Sequence, residues 1–336
     1  MERFGQDTTF RIGGDASRVA FIDSLPTLKH EFSRVKENGE PFFVLGGGSN
    51  LLVLDSGFAG AVFKMGIRGT EIIHEDSSSV VVKVGAGEVW DEFVAWTVER
   101  EFWGIENLSC IPGTVGAAPV QNIGAYGVEA KDVIESVEVF NAKTGEVSKM
   151  THDECSFGYR DSFFKRQGNK HFVVISVAFK LTKIPQPNVG YKDVASFFTE
   201  REIKNPGIID IRSAIVVIRS AKFPNLNKEG TAGSFWKNPV VSNSEYERLV
   251  TLYPGLPAFP TSPGYVKVPL AWILDNVCGL KGYTQDGVRL FEKQPLVLVA
   301  QFNARAEDVV GLAKKVELAV FSKTQIQIER EVEYVG

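Results

Sequence analysis

Between Gly104 and Ala130 the chain carries a stretch that neither helical nor strand periodicity absorbs. Its centre reads Ile111-Pro112-Gly113-Thr114-Val115-Gly116-Ala117-Ala118-Pro119-Val120-Gln121-Asn122-Ile123-Gly124-Ala125-Tyr126-Gly127. A loop this long inside a compact domain is functional or disordered, and this one is too apolar for disorder. Its small side chains would let the backbone pack against a flat ligand, while Gln121 and Asn122 have amides suited to polar ring edges. A large planar cofactor such as a flavin wants such a wall. The other reading is a buried structural loop, whose amides would still need partners.

A chain of 336 residues exceeds one ordinary core and implies two or three domains. We expect a first piece over residues 1–68. There Phe21, Ile22, Leu25, Leu28, Phe32 and Val35 have a mostly helical spacing across 19–37, interrupted by Pro26, and apolar strands follow at Phe42–Leu45, Leu51–Leu54 and Ala61–Met65. The second piece, 69–218, reads as strand Val80–Val84, the Gly85-Ala86-Gly87 turn, a helix from Val89 to Arg100 and the long loop. Strands Ile134–Phe140 and Val173–Leu181 and a helix Ile208–Arg219 complete it. The third, 219–330, has helical patterns at Ser244–Leu252, Leu270–Cys278 and Glu307–Phe321 and strands at Val266–Val268 and Leu296–Ala300. Strand-like alternation over Gln325–Val335 makes 331–336 the end of a C-terminal strand. The class is mixed α+β.

Charge narrows the partners. The net charge is −4 and the basic residues are scattered, whereas a nucleic-acid surface needs a basic stripe. No apolar run approaches the roughly 18 residues that span a bilayer, and Met1-Glu2-Arg3-Phe4-Gly5 lacks a signal-peptide core, so no membrane association is expected. Cys110, Cys155 and Cys278 are widely spaced and outside any CxxC pattern, as in a reducing cytoplasm. His30, His74, His152 and His171 have no ligand spacing, which argues against a metal site and against a Ser-His-Asp hydrolase. The expected assembly is a monomer.

Three further segments carry chemistry. Gly46-Gly47-Gly48-Ser49-Asn50 follows a strand directly and exposes consecutive N–H groups that could cradle phosphate oxygens. It is neither a Rossmann nor a Walker sequence, and its other reading is a flexible turn. Phe157-Gly158-Tyr159-Arg160-Asp161-Ser162 places a guanidinium where it could fork onto a carboxylate, or pair with Asp161 or another acid. Gly230-Thr231-Ala232-Gly233-Ser234-Phe235-Trp236-Lys237-Asn238-Pro239 sets a hydroxyl between small and aromatic residues, approachable by substrate yet shielded from water. Its other reading is a tight Gly-Ser turn stapled by Phe235 and Trp236. Glu329-Arg330-Glu331 interrupts the C-terminal alternation with charge, as protected edge strands do.

In this order and separation, Leu45–Asn50, Ile111–Gly127, Phe157–Ser162 and Gly230–Pro239 resemble the bacterial UDP-N-acetylenolpyruvoylglucosamine reductases, flavoenzymes that make UDP-N-acetylmuramate. The likeness runs from Thr9-Phe10 to Ile328–Gly336. Tyr191, with Pro187 and Asp193, is similar to the tyrosine-bearing loop of one subgroup. The resemblance implies an FAD-binding fold of the vanillyl-alcohol-oxidase type in two subdomains, with an α+β substrate-binding domain after them. It implies non-covalent FAD at Gly46, Gly47, Gly48, Ser49, Asn50, Ile111, Pro112, Gln121, Asn122, Gly124 and Tyr126. It places Arg160, Ser234 and Glu329 at catalytic positions, and Tyr191, Lys222, Asn238 and Gln294 at nucleotide-sugar positions. Departures are Gln285–Glu292, which lacks paired glycines, Phe259 in place of a tyrosine, and Ala117 and Ala118 in place of hydroxyl residues.

The implied substrate is an enol ether of pyruvate, conjugated to a carboxylate. NADPH would supply hydride through FAD, leave, and yield the same flavin face to the sugar. Hydride at the methylene carbon drives charge towards the carboxylate as an enolate, which the Arg160 charge would stabilise. Ser234 would protonate the neighbouring carbon. Glu329 would need a dry pocket, since only the neutral acid can donate a hydrogen bond to an enolate. Lys222 and Arg219 could meet anionic groups, with solvated surface charge as their default. Two rival readings remain: an oxidase of the same fold, and a flavin- or nucleotide-sugar-binding protein without catalysis.

Overall fold

The computed structural model describes residues 3–336; Met1 and Glu2, which open the stretch assessed for a signal peptide, lie outside the described residues. The chain divides into two compact units that interleave along the sequence. The larger comprises Ser17–Gly47 and Ala59–Ala221, the smaller Met1–Ala16, Gly48–Phe58 and Lys222–Gly336. Consecutive cuts at 68, 218 and 330 therefore do not describe these units. The reason is visible in the smaller one, where strand Leu51–Val53 pairs in parallel with the terminal strand Glu333–Val335.

In the larger unit, helix Leu25–Asn38 shows how local signals compete. Periodicity placed the helix start near residue 19, yet Ala16–Ile22 is a strand. Pro26 opens the helix rather than interrupting it, because a first-turn N–H has no intrahelical acceptor to lose. Ser24 caps that turn by accepting the Thr27 N–H at 3.3 Å, and Gly39 ends the helix at φ 61°. The buried face presents Phe32, whose ring centroid lies 4.7 Å from Phe42, 4.9 Å from Phe63 and 5.2 Å from Phe140. One aromatic side chain thus joins the helix to two sheets. One is three-stranded, in the order Ala16–Ile22, Phe58–Met65, Phe42–Leu45. The other is five-stranded and antiparallel, in the order Val147–Thr151, Ile134–Asn141, Phe172–Thr182, Ser79–Gly85, Thr70–Glu75. The central strands match the apolar runs read from sequence. The edge strands Thr70–Glu75 and Val147–Thr151 carry no inward apolar alternation for periodicity to detect, because they are almost wholly exposed, Ile72, Ile73 and Val147 included.

The smaller unit is built on strand Gln294–Ala300, buried along nearly its whole length beside Val288–Phe291. A second sheet has the order Val240–Ser242, Tyr265–Lys267, Phe259–Ser262. Gln285–Glu292 lacks paired glycines, but Asp286 at φ 49° and Gly287 at φ 77° supply the two left-handed residues of a tight hairpin. Two expectations change here. Leu270–Cys278 is one α-turn, Leu270–Trp272, continued as a π-turn over Ile273–Val277, with the Cys278 N–H bonded to the Ile273 carbonyl. Over Gln325–Val335 only Glu333–Val335 forms a regular strand, although Ile326 and Ile328 keep the inward alternation.

Helix Ala306–Thr324 packs its apolar face on this core. Its start is held from a remote segment, since the Asp55 carboxylate accepts the Ala306 and Glu307 N–H groups, each at 3.0 Å. Two otherwise orphaned donors and the positive helix end are satisfied together. Asp55→Ala is expected to lower unfolding stability by about 1–2 kcal/mol, measured by urea denaturation; a loss within error would remove this cap from the account.

Candidate active site

The larger unit brings the two glycine-rich segments into main-chain contact. A Cβ on Gly46 would lie 2.7 Å from Thr114 Oγ1, and one on Gly47 would lie 2.6 Å from Gly113 Cα. The loop is held in place by the turn at 85–90. The Trp90 N–H donates to the Gly113 carbonyl at 3.1 Å, the Val115 N–H to Glu88 at 2.9 Å, and the Gly116 N–H to Ala86 at 2.9 Å. Within the Gly104–Ala130 loop, Ala117–Gln121 forms a short helix ended by left-handed Asn122. Tyr126 and Gly127, both at positive φ, then turn a two-residue hairpin.

Two buried polar atoms in this unit lack a partner among the described residues: Thr114 Oγ1 and Asn107 Oδ1. Buried polar atoms left orphaned are costly, and each calls for an explanation. Thr114 Oγ1 adjoins the cradle where a Cβ on Gly46 would clash, so a hydroxyl and bare main chain offer themselves on one surface. Those are groups a flavin dinucleotide can use, and the residues present fit it.

Arg160 is held against the same loop. It occupies the second central position of the turn Gly158–Asp161 at φ 51°, a strained conformation for a residue other than glycine. Its guanidinium donates to the Gly124 carbonyl and, at 3.4 Å, to that of Asn122. Lys165 donates to Gln121 Oε1 at 3.0 Å and to the Arg160 carbonyl at 3.1 Å. The Asn122 amide is engaged inside the fold: Nδ2 donates to Gly158 at 2.8 Å and Oδ1 accepts the Lys131 N–H at 3.0 Å. Tyr191 is 46% exposed and meets Tyr126 edge-on at 5.3 Å. Burial pushes the Tyr126 phenol up to about 12 and also raises Tyr191.

In the smaller unit, Gly230–Lys237 runs between two neighbours. Gly230 exchanges both main-chain bonds with Ala300, the Phe235 N–H donates to Leu296, and the Lys237 N–H to Glu329. Phe235 and Trp236 are buried, as the staple reading required, while Ser234 is half-buried beside Gly233. Gly233 has φ 74°, and a Cβ there would meet nothing within 4 Å, so the face next to Ser234 is open. Asn238 Oδ1 accepts the Leu270 N–H at 3.0 Å. Gln294 starts the central strand, and Lys222 is half-buried at the end of helix Ile208–Lys222. Glu329 departs from expectation. Its side chain is 71% exposed and paired with Lys237 at 2.7 Å, because the inward alternation of Ile326 and Ile328 turns it outward. The dry pocket expected for it is not formed.

Residues 16–151 match the family described as FAD binding domain, and residues 224–335 match the UDP-N-acetylenolpyruvoylglucosamine reductase, C-terminal domain. The reductase of Neisseria meningitidis serogroup A is 41% identical over 324 residues, covering 96% of this chain and 93% of that protein. The chain belongs to the UDP-N-acetylenolpyruvoylglucosamine reductase family. It is an FAD oxidoreductase. The Flavobacterium johnsoniae reductase is 38% identical over 329 residues, with 97% of this chain and 96% of the relative covered. The solved reductase of Thermus caldophilus superposes with a TM-score of 0.69 at 25% identity, covering 98% of this chain and 96% of that one.

An acid-base cluster that no sequence motif signals lies beside the loop. Asp91 Oδ1 accepts the Cys110 N–H at 2.6 Å, and Arg212 forks onto Asp91 at 2.7 and 3.1 Å. Arg219 Nε donates to the Cys110 carbonyl at 3.1 Å. Arg219 is thus no solvated surface charge: it is half-buried, and desolvation pulls its pKa down. The one signal was spacing, since Arg212 and Arg219 lie seven residues apart and so share a helix face.

Two outcomes follow. Gly47→Ala would drive a methyl into Gly113 and is expected to weaken FAD binding roughly tenfold or more, measured by flavin fluorescence; wild-type affinity would show that the close approach is unnecessary. For Asp91, desolvation raises the pKa, but hydrogen bonds from Arg212 and the Cys110 N–H and the charges of Arg212 and Arg219 outweigh it, and the net shift is down. A depressed folded-state pKa gives stability that is full above the ordinary value and disappears as pH falls through the depressed one. Asp91→Asn should therefore cost about 2 kcal/mol at neutral pH, and its deficit should shrink below roughly pH 4. Urea titrations across pH measure this, and a pH-independent deficit would contradict it.

Proposed function

We propose that the chain reduces the enolpyruvyl group of UDP-N-acetylglucosamine enolpyruvate to give UDP-N-acetylmuramate, a step of peptidoglycan precursor synthesis, with NADPH as electron source. The observation that carries this reading is the 41% identity to a named reductase across 96% of the chain, and this chain's own glycine cradle and orphaned Thr114 hydroxyl suit FAD. FAD, when bound, would take hydride from NADPH and deliver it to the substrate's methylene carbon.

The protein's own residues must manage charge and a proton. Arg160 carries a fixed cation, and two carbonyl contacts and a strained turn limit its movement. A charge oriented before reaction needs no reorganisation when the substrate carboxylate gains enolate character. Ser234 would then give its hydroxyl proton to the carbon next to that carboxylate and recover one from solvent; the open face at Gly233 supports that assignment. Glu329 starts as an exposed carboxylate paired with Lys237, so a role as neutral donor requires that pair to open on substrate binding. Tyr191, Lys222, Asn238 and Gln294 are assigned to the nucleotide sugar, and the side-chain oxygen of Asn238 already caps Leu270. The three cysteines are free, which suits a cytoplasmic reaction, and among the described residues no helix is long and apolar enough to cross a membrane.

An anaerobic titration tests the whole. NADPH should bleach the flavin band near roughly 450 nm, and the enolpyruvyl sugar should restore it. Recovery by oxygen alone would favour an oxidase, and protein that takes up no FAD would overturn the proposal. Ser234→Ala should keep NADPH bleaching while slowing recovery by the sugar by about 10²–10⁴-fold. Glu329→Gln should keep FAD and slow turnover; unchanged turnover removes Glu329 from the mechanism.

A further inference from the structure

The cluster behind the loop has a geometry that its charges alone do not explain. The segment Cys110–Tyr126 begins and ends on residues in the left-handed region, Cys110 at φ 58° and Tyr126 at φ 48°. Neither is glycine, so both conformations persist only because their surroundings hold them. The two ends share a holder. Arg219 Nε donates to the Cys110 carbonyl at 3.1 Å, and the same guanidinium lies close enough to the Tyr126 phenol to oppose the rise that burial gives it.

Other contacts complete the clamp. The Cys110 N–H is fixed on Asp91, which Arg212 grips from one helical face with Arg219. The main-chain carbonyl of Tyr126 accepts the Asn107 amide at 3.0 Å, and that amide also reaches the Asn188 carbonyl at 2.9 Å. Every one of these groups lies in the larger unit. Helix Ile208–Lys222 therefore reads both ends of the segment through one planar fork, a shape that lysine cannot reproduce.

We infer that Arg219 is a positioning residue for the flavin: by fixing Cys110 and Tyr126 together it sets the curvature of the wall that the cofactor lies against. The inference rests on the reading of this loop as flavin-binding. It predicts an effect on how the cofactor is held that exceeds any effect on folding, and a dependence on the fork rather than on charge alone.

The test uses full-length protein reconstituted with FAD: wild type, Arg219→Met, Arg219→Lys, Tyr126→Phe and the Arg219→Met/Tyr126→Phe double variant. FAD dissociation constants, the visible flavin spectrum and apoprotein unfolding are measured for each. Arg219→Met should weaken FAD about tenfold or more and shift the flavin band, with Arg219→Lys failing to restore either. The loss on removing Arg219 should be smaller when Tyr126 is already Phe, because one of its contacts is then gone. Folded Arg219→Met with wild-type affinity and spectrum would overturn the inference, as would full rescue by lysine. If Arg219→Met does not fold, Arg219→Lys and Tyr126→Phe decide: wild-type FAD affinity and spectrum in both overturn the inference, and weakened binding with a shifted band in both supports it. Wild-type protein that takes up no FAD would instead defeat the flavin reading on which this rests.

Discussion

Main chain packed directly on main chain is the constraint on which the larger unit depends. Gly47 meets Gly113 and Gly87 meets Gly66, each so closely that a Cβ would lie 2.6 Å from a main-chain carbon of its neighbour. Such contacts are open only to glycine, because any side chain there would collide with the neighbouring main chain. They also make the geometry rigid, because two backbones in contact have no rotamers through which to relax. The catalytic candidate Arg160 inherits that rigidity, being bonded to carbonyls of the same loop.

Rigid loops need support from behind, and here it is ionic. Asp91 and Arg212 are paired with each other, and Asp91 and Arg219 both bond the Cys110 main chain. Partly buried ion pairs contribute little net stability, since desolvation offsets attraction, but removing one member leaves an uncompensated charge. Their effect is therefore to specify one loop conformation. The smaller unit solves a related problem with one carboxylate: Asp55 reaches the start of helix Ala306–Thr324 from a segment far away in sequence.

Much of this was legible beforehand. The central strands and the long helices follow their apolar periods, while the glycine, arginine and serine segments stood out by residue type and took their assigned roles from family resemblance. The failures have physical causes. Pro26 was read as an interruption because sequence alone does not say whether a proline stands in a helix's first turn or its middle. The exposed edge strands carry no apolar alternation to detect. Glu329 was expected in a dry pocket, but exposure depends on which neighbours cover a strand, and the structure turns it towards Lys237.

The sequence by itself determined the family, the cofactor class and the residues able to carry charge and protons, because these depend on chemical identity and order along the chain. Tertiary structure decided which of those residues share a unit, that Arg219 faces the Cys110–Tyr126 segment and not solvent, and that Thr114 keeps an orphaned hydroxyl beside the glycine cradle. Those outcomes arise from contacts between segments tens to hundreds of residues apart, and local propensity does not encode such contacts one residue at a time.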